Sequence, residues 1–154
     1  MREQSKQDLY QKLSETFIKK VPFNQHIGLE LGSVSKDKCE LIIKMKPELI
    51  GNFHHGILHG GVIATTLDSV GGTMAAIGLL EKETRLEFDH VMQKLAKLGT
   101  IDMRVDYLLP GKGEKFRASA RLLRVGNKVA VTRSEFHNEK GEILALGTAT
   151  YLVG

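Results

Sequence analysis

The chain has 154 residues, 42% hydrophobic, 26% charged and 6% aromatic, enough to bury one core, which excludes a disordered chain and an obvious two-domain enzyme. Lys and Arg total 22 against 18 Asp and Glu, a formal charge of +4, too mild for a dedicated nucleic-acid binder unless the charge is gathered in one place. It is gathered: ten basic residues lie between Lys94 and Arg133, against only Asp102, Asp106 and Glu114, and they imply either an anionic partner or a solvated sheet face. The single cysteine, Cys39, excludes an internal disulfide framework and a Cys-rich zinc module. That fits a reducing compartment, and the polar first twenty residues do not read as a signal peptide. A cytoplasmic location is expected.

Leu9, Tyr10, Leu13 and Phe17 recur at helical spacing, which predicts an amphipathic surface helix over roughly 4–19, ending before Val21-Pro22. Ile27 to Val34 and Lys38 to Lys46 read as paired strands. Gly51 to Leu58, rich in Gly, Asn and His, reads as a loop that feeds the most apolar stretch of the chain, Gly56 to Leu80. That stretch carries His59, Asp68 and six glycines, which suits a helix buried in protein and not a membrane span.

Within it Ile63, Leu67, Val70, Met74 and Ile77 form one apolar stripe, while Gly61, Ala64, Thr65, Gly72 and Ala75 make a second side of small residues that includes Asp68. Glu81 to Leu98 continues as a second helical segment around Phe88, Val91, Met92 and Leu95. The period then changes to two. Ile101, Met103, Val105 and Tyr107 alternate with charged residues, and Phe116, Ala118, Ala120 and Leu122 do the same after the turn at Pro110 to Gly113. Turns at Gly126-Asn127 and Asn138 to Gly141 delimit strands near 128–137 and 142–152. Short turns imply antiparallel neighbours, so the expected architecture is α+β, a single domain over 1–154.

The candidate chemistry is His59-Gly60-Gly61 followed by Asp68. The glycines open the central helix, where the first backbone N–H groups lack intrahelical partners and the dipole is positive, so this end can hold an anion or a developing oxyanion. A tight loop-to-helix joint is the plainer alternative. A carboxylate in mid-helix costs several kcal/mol when buried and unpaired; Asp68 therefore serves either chemistry or a buried ion pair or strand hydrogen bond. Gly60 and Asp68 are eight residues apart, about 12 Å along a helix. One reacting carbonyl needs both within about 3 Å, so joint action requires two antiparallel helices in a dimer.

Asn52 to Asp68 (NFHHGILHGGVIATTLD), Thr100 to Pro110 (TIDMRVDYLLP) and the Gly-Asn-Lys turn with the last strand resemble the hotdog-fold acyl-CoA thioesterases of the phenylacetate-pathway (PaaI-like) group. The resemblance runs from Phe23 to the end, and the long Glu81 to Gly99 segment is closer to a bacterial (YigI-like) branch associated with medium- and long-chain acyl-CoA. It implies a hotdog fold, an antiparallel sheet wrapped around a long central helix, with extra N-terminal and inserted helices. By the same resemblance Asp68 is general base or nucleophile, Gly60 N–H an oxyanion donor, His59 a flank of the thioester, and Thr100 a hydroxyl that orients water. The family has an Asn six residues before the histidine, where this chain has Phe53; Asn52, one residue earlier, is assigned to the site, with His54 or His55 as substitutes. Gly61 and His55 are expected against substrate, and Arg124, Gly126 and Lys128 against the phosphates of coenzyme A.

The expected protein is a homodimer or tetramer that hydrolyses an acyl-CoA, with no nucleic-acid partner and no cofactor. His55 and His59 lack a third ligand and a helical register, so no metal site is expected. The rivals are a non-catalytic acyl-CoA binding or sensing module, and a hydratase or dehydratase, which needs an Asp and His pair placed for proton chemistry; Asp89-His90 are adjacent but lack that family's spacing.

Overall fold

A computed structural model describes residues 2–154, with side chains from Ser5 onward. The N-terminal helix α1 (Arg2–Lys20) breaks at Val21 and is followed by a short helix α2 (Pro22–Ile27). The strands are β1 (Glu30–Val34), β2 (Cys39–Lys44), β3 (Ile50–Asn52), β4 (Ile57–Leu58), β5 (Gly99–Tyr107), β6 (Lys115–Val125), β7 (Val129–Asn138) and β8 (Ile143–Leu152). Between β4 and β5 run the long helix α3 (Gly60–Glu81) and the inserted helix α4 (Phe88–Leu95).

Six strands form one sheet in the order β1-β2-β6-β7-β8-β5, every neighbour antiparallel, and β3–β4 make a separate small hairpin. The sheet wraps α3, whose predicted stripe of Ile63, Leu67, Val70, Met74 and Ile77 is buried against it. This is the α+β hotdog arrangement. By length and composition α3 suffices to cross a membrane, but two-thirds of its most apolar window (67%) is buried inside the fold.

Close helix-to-sheet approach depends on small residues on both sides. Ala118, Ala120, Ala145 and Ala149 face α3 and are buried. Gly71 lies under the Tyr151 ring, which is 2% exposed; a Cβ there would stand 2.3 Å from the Tyr151 hydroxyl and 2.8 Å from Thr132 Oγ1. Gly71→Ala is therefore expected to cost about 2 kcal/mol through overpacking, lowering Tm by roughly 4–8 °C in calorimetry. An unchanged Tm would refute this packing.

Three expectations need correcting. Residues 22–27 are helical where a strand starting at Ile27 is predicted; Pro22 at the first turn and Gly28 at φ 80 after the last supply a helix start and stop. Glu81 to Leu98 is not one continuous helix, because only Phe88–Leu95 is a regular α4 after an irregular link. In β5 the pairing with β8 shifts between Thr100 and Asp102. This bulge reverses the alternation: Met103 and Val105 pack towards the core, while Ile101 is 57% exposed.

The two sheet edges differ. Short β1 lies under α1, whereas among the described residues β5 pairs only with β8 and runs on into exposed Leu108 and Leu109. Cys39 is buried in β2, and burial pushes its thiol up to about 12, so it is no nucleophile. The basic residues are dispersed: Arg104 pairs with Asp106 at 2.9 Å, Arg117 lies 3.8 Å from Glu40, and Lys94 3.4 Å from Glu83.

Candidate active site

The N-terminus of α3 is built by the small hairpin that precedes it. Gly51 backs so closely on His59 that a Cβ would stand 2.5 Å from its Cα, and His59 N–H donates to the Leu49 carbonyl at 2.8 Å. His59, in extended backbone, is the N-cap residue: its Nδ1 accepts the Gly61 N–H at 2.8 Å. Nδ1 is thus unprotonated and the ring proton sits on Nε2, free to donate outward. The His59 carbonyl accepts from Val62 and Ile63. Among the described residues Gly60 N–H meets no acceptor outside the helix, so of the two glycines it is the one with a donor to offer. The Gly60 carbonyl is fixed in turn by the Tyr107 hydroxyl at 2.7 Å.

Asp68, two turns further along α3, is half-buried on its small-residue face. It is not the fully enclosed carboxylate that the apolar surroundings in sequence suggest, because it lines an open cavity beside the helix. Thr100 Oγ1 donates to Asp68 Oδ1 at 2.8 Å, and the β5 bulge is what turns Thr100 towards the helix. Oδ2 is left for a water or substrate. Beneath, the Tyr151 hydroxyl donates to the Asp68 carbonyl at 2.9 Å. Burial, with the charge of Asp68 beside it, pushes the Tyr151 phenol well above its ordinary value, so it stays a protonated donor.

Asp68 and Thr100 stand in a cavity of about 420 Å³ whose walls come from α1–α2 and from the α4–β5 junction. Asn24 lines it as well, tied to α3 by Ser69 Oγ at 3.2 Å. Sequence periodicity does not reveal the contribution of the N-terminal helices; the available signal is the Pro22 to Gly28 punctuation. Gly60 lies outside this cavity, two helical turns from Asp68.

The remaining predicted residues lie apart from that pair. Asn52 Oδ1 accepts the His54 N–H at 3.1 Å and its carbonyl accepts from Gly56 at 2.9 Å, so it shapes the hairpin turn. His55 is exposed there, and Phe53 is 81% exposed. Arg124 and Lys128 are exposed on the β6–β7 turn. Gly126 and Asn127 of that turn border a separate cleft of about 510 Å³ with Lys82, Lys94 and Lys97. His90 faces the same cleft, 3.5 Å from Glu83, and so does not join Asp68.

The sequence profile described as "Thioesterase superfamily" matches residues 55–145. The chain is 46% identical over 142 residues, 92% of each sequence, to the medium/long-chain acyl-CoA thioesterase YigI of Escherichia coli K12, and 45% identical over the same span to that of Salmonella typhimurium. A crystal structure from Shewanella oneidensis, described as related to the thioesterase superfamily, superposes with a TM-score of 0.91 at 47% identity, covering 97% of both chains. With a sheet wrapped on one long helix, a His-Gly-Gly helix start and these relatives, the chain belongs to the hotdog-fold thioesterase superfamily.

Proposed function

We propose that this protein hydrolyses medium- or long-chain acyl-CoA thioesters to the free acid and coenzyme A, in active sites shared between two copies of the chain. The observation that carries this reading is the division of labour along α3: a carboxylate oriented by Thr100 at a cavity mouth, and an unspent N–H at Gly60 about 12 Å away on the same helix. Two α3 helices lying antiparallel bring the Gly60 of each to the Asp68 of the other. The small residues of that face permit close approach, and the unpaired β5 edge with exposed Ile101, Leu108 and Leu109 offers apolar surface and backbone groups to the same partner.

In that assembly the thioester carbonyl lies between the two helices. Asp68 takes a proton from water, whose oxygen attacks the carbonyl carbon, or attacks that carbon itself to give an anhydride that water then opens. The oxyanion is met by Gly60 N–H at the positive end of the helix. Its collapse breaks the carbon–sulfur bond and releases coenzyme A. Arg124 and Lys128, with the cations beside Gly126, are proposed to hold the coenzyme A phosphates. Asn52, Gly61 and His55 are proposed to flank the thioester. A hydratase reading lacks support, since His90 lines the separate cleft beside Glu83, Asp89 is exposed, and neither lines the cavity that holds Asp68.

The test is thiol release from acyl-CoAs of increasing chain length. Turnover that rises towards medium or long chains is expected, and no turnover on any chain length would overturn the reading. Thr100→Val should lower kcat by about 10- to 100-fold, the value of one hydrogen bond to a charged group, with KM kept. An unchanged kcat would remove Thr100 from the site.

A further inference from the structure

We propose that the N-terminal helices read the length of the acyl chain, with Phe23 of α2 the specificity-determining residue; this rests on the acyl-CoA reading above. The cavity that starts at Asp68 and Thr100 has an apolar wall on each side, Phe17, Val21 and Phe23 from the N-terminal helices and Leu95 and Leu98 from the insertion. Phe23 leaves 56% of its surface in solvent and Val21 40%, an unusual outlay of apolar area beside the pocket that holds Asp68 and Thr100. An alkyl chain leaving the thioester along this wall covers that area.

The wall is held in register with the carboxylate. Asn24, buried at the inner end of α2, donates through Nδ2 to the Phe17 carbonyl at 3.3 Å and accepts from Ser69 Oγ at 3.2 Å. Ser69 directly follows Asp68 on α3. The break at Val21-Pro22 and the Gly28 stop delimit α2 as a separate short block, and the Asn24 bond to Ser69 holds that block against α3 beside Asp68. A butyryl chain is too short to gain much from Phe23, while the distal methylenes of a dodecanoyl chain lie along it. Burial of each methylene is worth about fourfold in affinity, so a wall contacting two or three of them controls discrimination by an order of magnitude or more.

The test compares Phe23→Ala, and Phe23→Leu as the conservative variant, with wild type, in two measurements on butyl and dodecyl compounds. One is kcat/KM for butyryl-CoA and dodecanoyl-CoA. The other is the Kd of the non-hydrolysable S-butyl and S-dodecyl thioethers of coenzyme A. Phe23→Ala is expected to weaken dodecyl binding and dodecanoyl kcat/KM about tenfold, with both butyl values within twofold of wild type, and Phe23→Leu to recover most of the loss. Equal losses on both chain lengths, or no loss on either, would overturn the role of Phe23. The binding arm keeps the two claims separate: selective loss of dodecyl affinity without any wild-type hydrolysis supports Phe23 as the reader and overturns the hydrolase instead.

Discussion

Asp68→Asn is expected to lower kcat on the best acyl-CoA by about 10²–10⁴-fold, the usual contribution of a positioned base. The substitution is nearly isosteric, and Asn Oδ1 still accepts the Thr100 hydroxyl that meets Asp68 at 2.8 Å. Asp68 is half-buried at a cavity mouth and has no ion-pair partner among the described residues, so no buried cation is orphaned by its loss. The fold and KM should therefore survive while turnover collapses. Thiol release at saturating substrate, with Tm as the control for folding, decides the matter. Unchanged turnover in Asp68→Asn would remove the carboxylate from the chemistry without touching the hydrolase reading.

Gly60→Pro is expected to cost about 10²–10³-fold in kcat, the range found when one oxyanion donor is removed. Proline is well suited to the first turn of a helix, and His59, at φ −64 and ψ 134, already has the extended backbone that a following proline requires. Gly60 N–H has no acceptor outside the helix among the described residues, so its removal breaks no structural hydrogen bond. An added Cβ would stand 3.3 Å from the Tyr107 ring, which is 53% exposed and donates to the Gly60 carbonyl, so that ring must shift by a few tenths of an ångström. A variant that keeps its Tm but loses kcat would mark the N–H as the missing element. Full activity would show that the helix start is only a structural joint.

Much of this arrangement is legible in the sequence because it follows from periodicity. The apolar stripe of α3 fixes which face the sheet covers, and short turns fix the β6-β7-β8 meander. The eight-residue separation of Gly60 and Asp68 fixes that one helix cannot bring them together. What periodicity hides lies where a local exception or a distant contact takes over. The bulge after Thr100 inverts the alternation of β5, exposing Ile101 and aiming Thr100 at Asp68. Tyr151 reads as an ordinary strand residue, and only the tertiary fold sets its hydroxyl beneath the carbonyl of Asp68. Residues 22–27 lie just ahead of the strand expected from Ile27, yet a proline start, a glycine stop and the Asn24 tie to Ser69 make them a helix that walls the cavity. The His59 cap is likewise a matter of side-chain direction, and it leaves Gly60 with the free donor.

On the proposed mechanism each active site draws its carboxylate from one chain and its oxyanion donor from another. Differently tagged Asp68→Asn and Gly60→Pro subunits, unfolded together, refolded and purified through both tags, isolate this sharing most directly. In such a heterodimer one site pairs an intact Gly60 with an intact Asp68, and the other carries both defects. Thiol release per heterodimer should return to about half that of wild type, far above either parent, because a two-fold dimer holds two equivalent sites. Activity no higher than the parent variants in confirmed heterodimers would contradict the shared site.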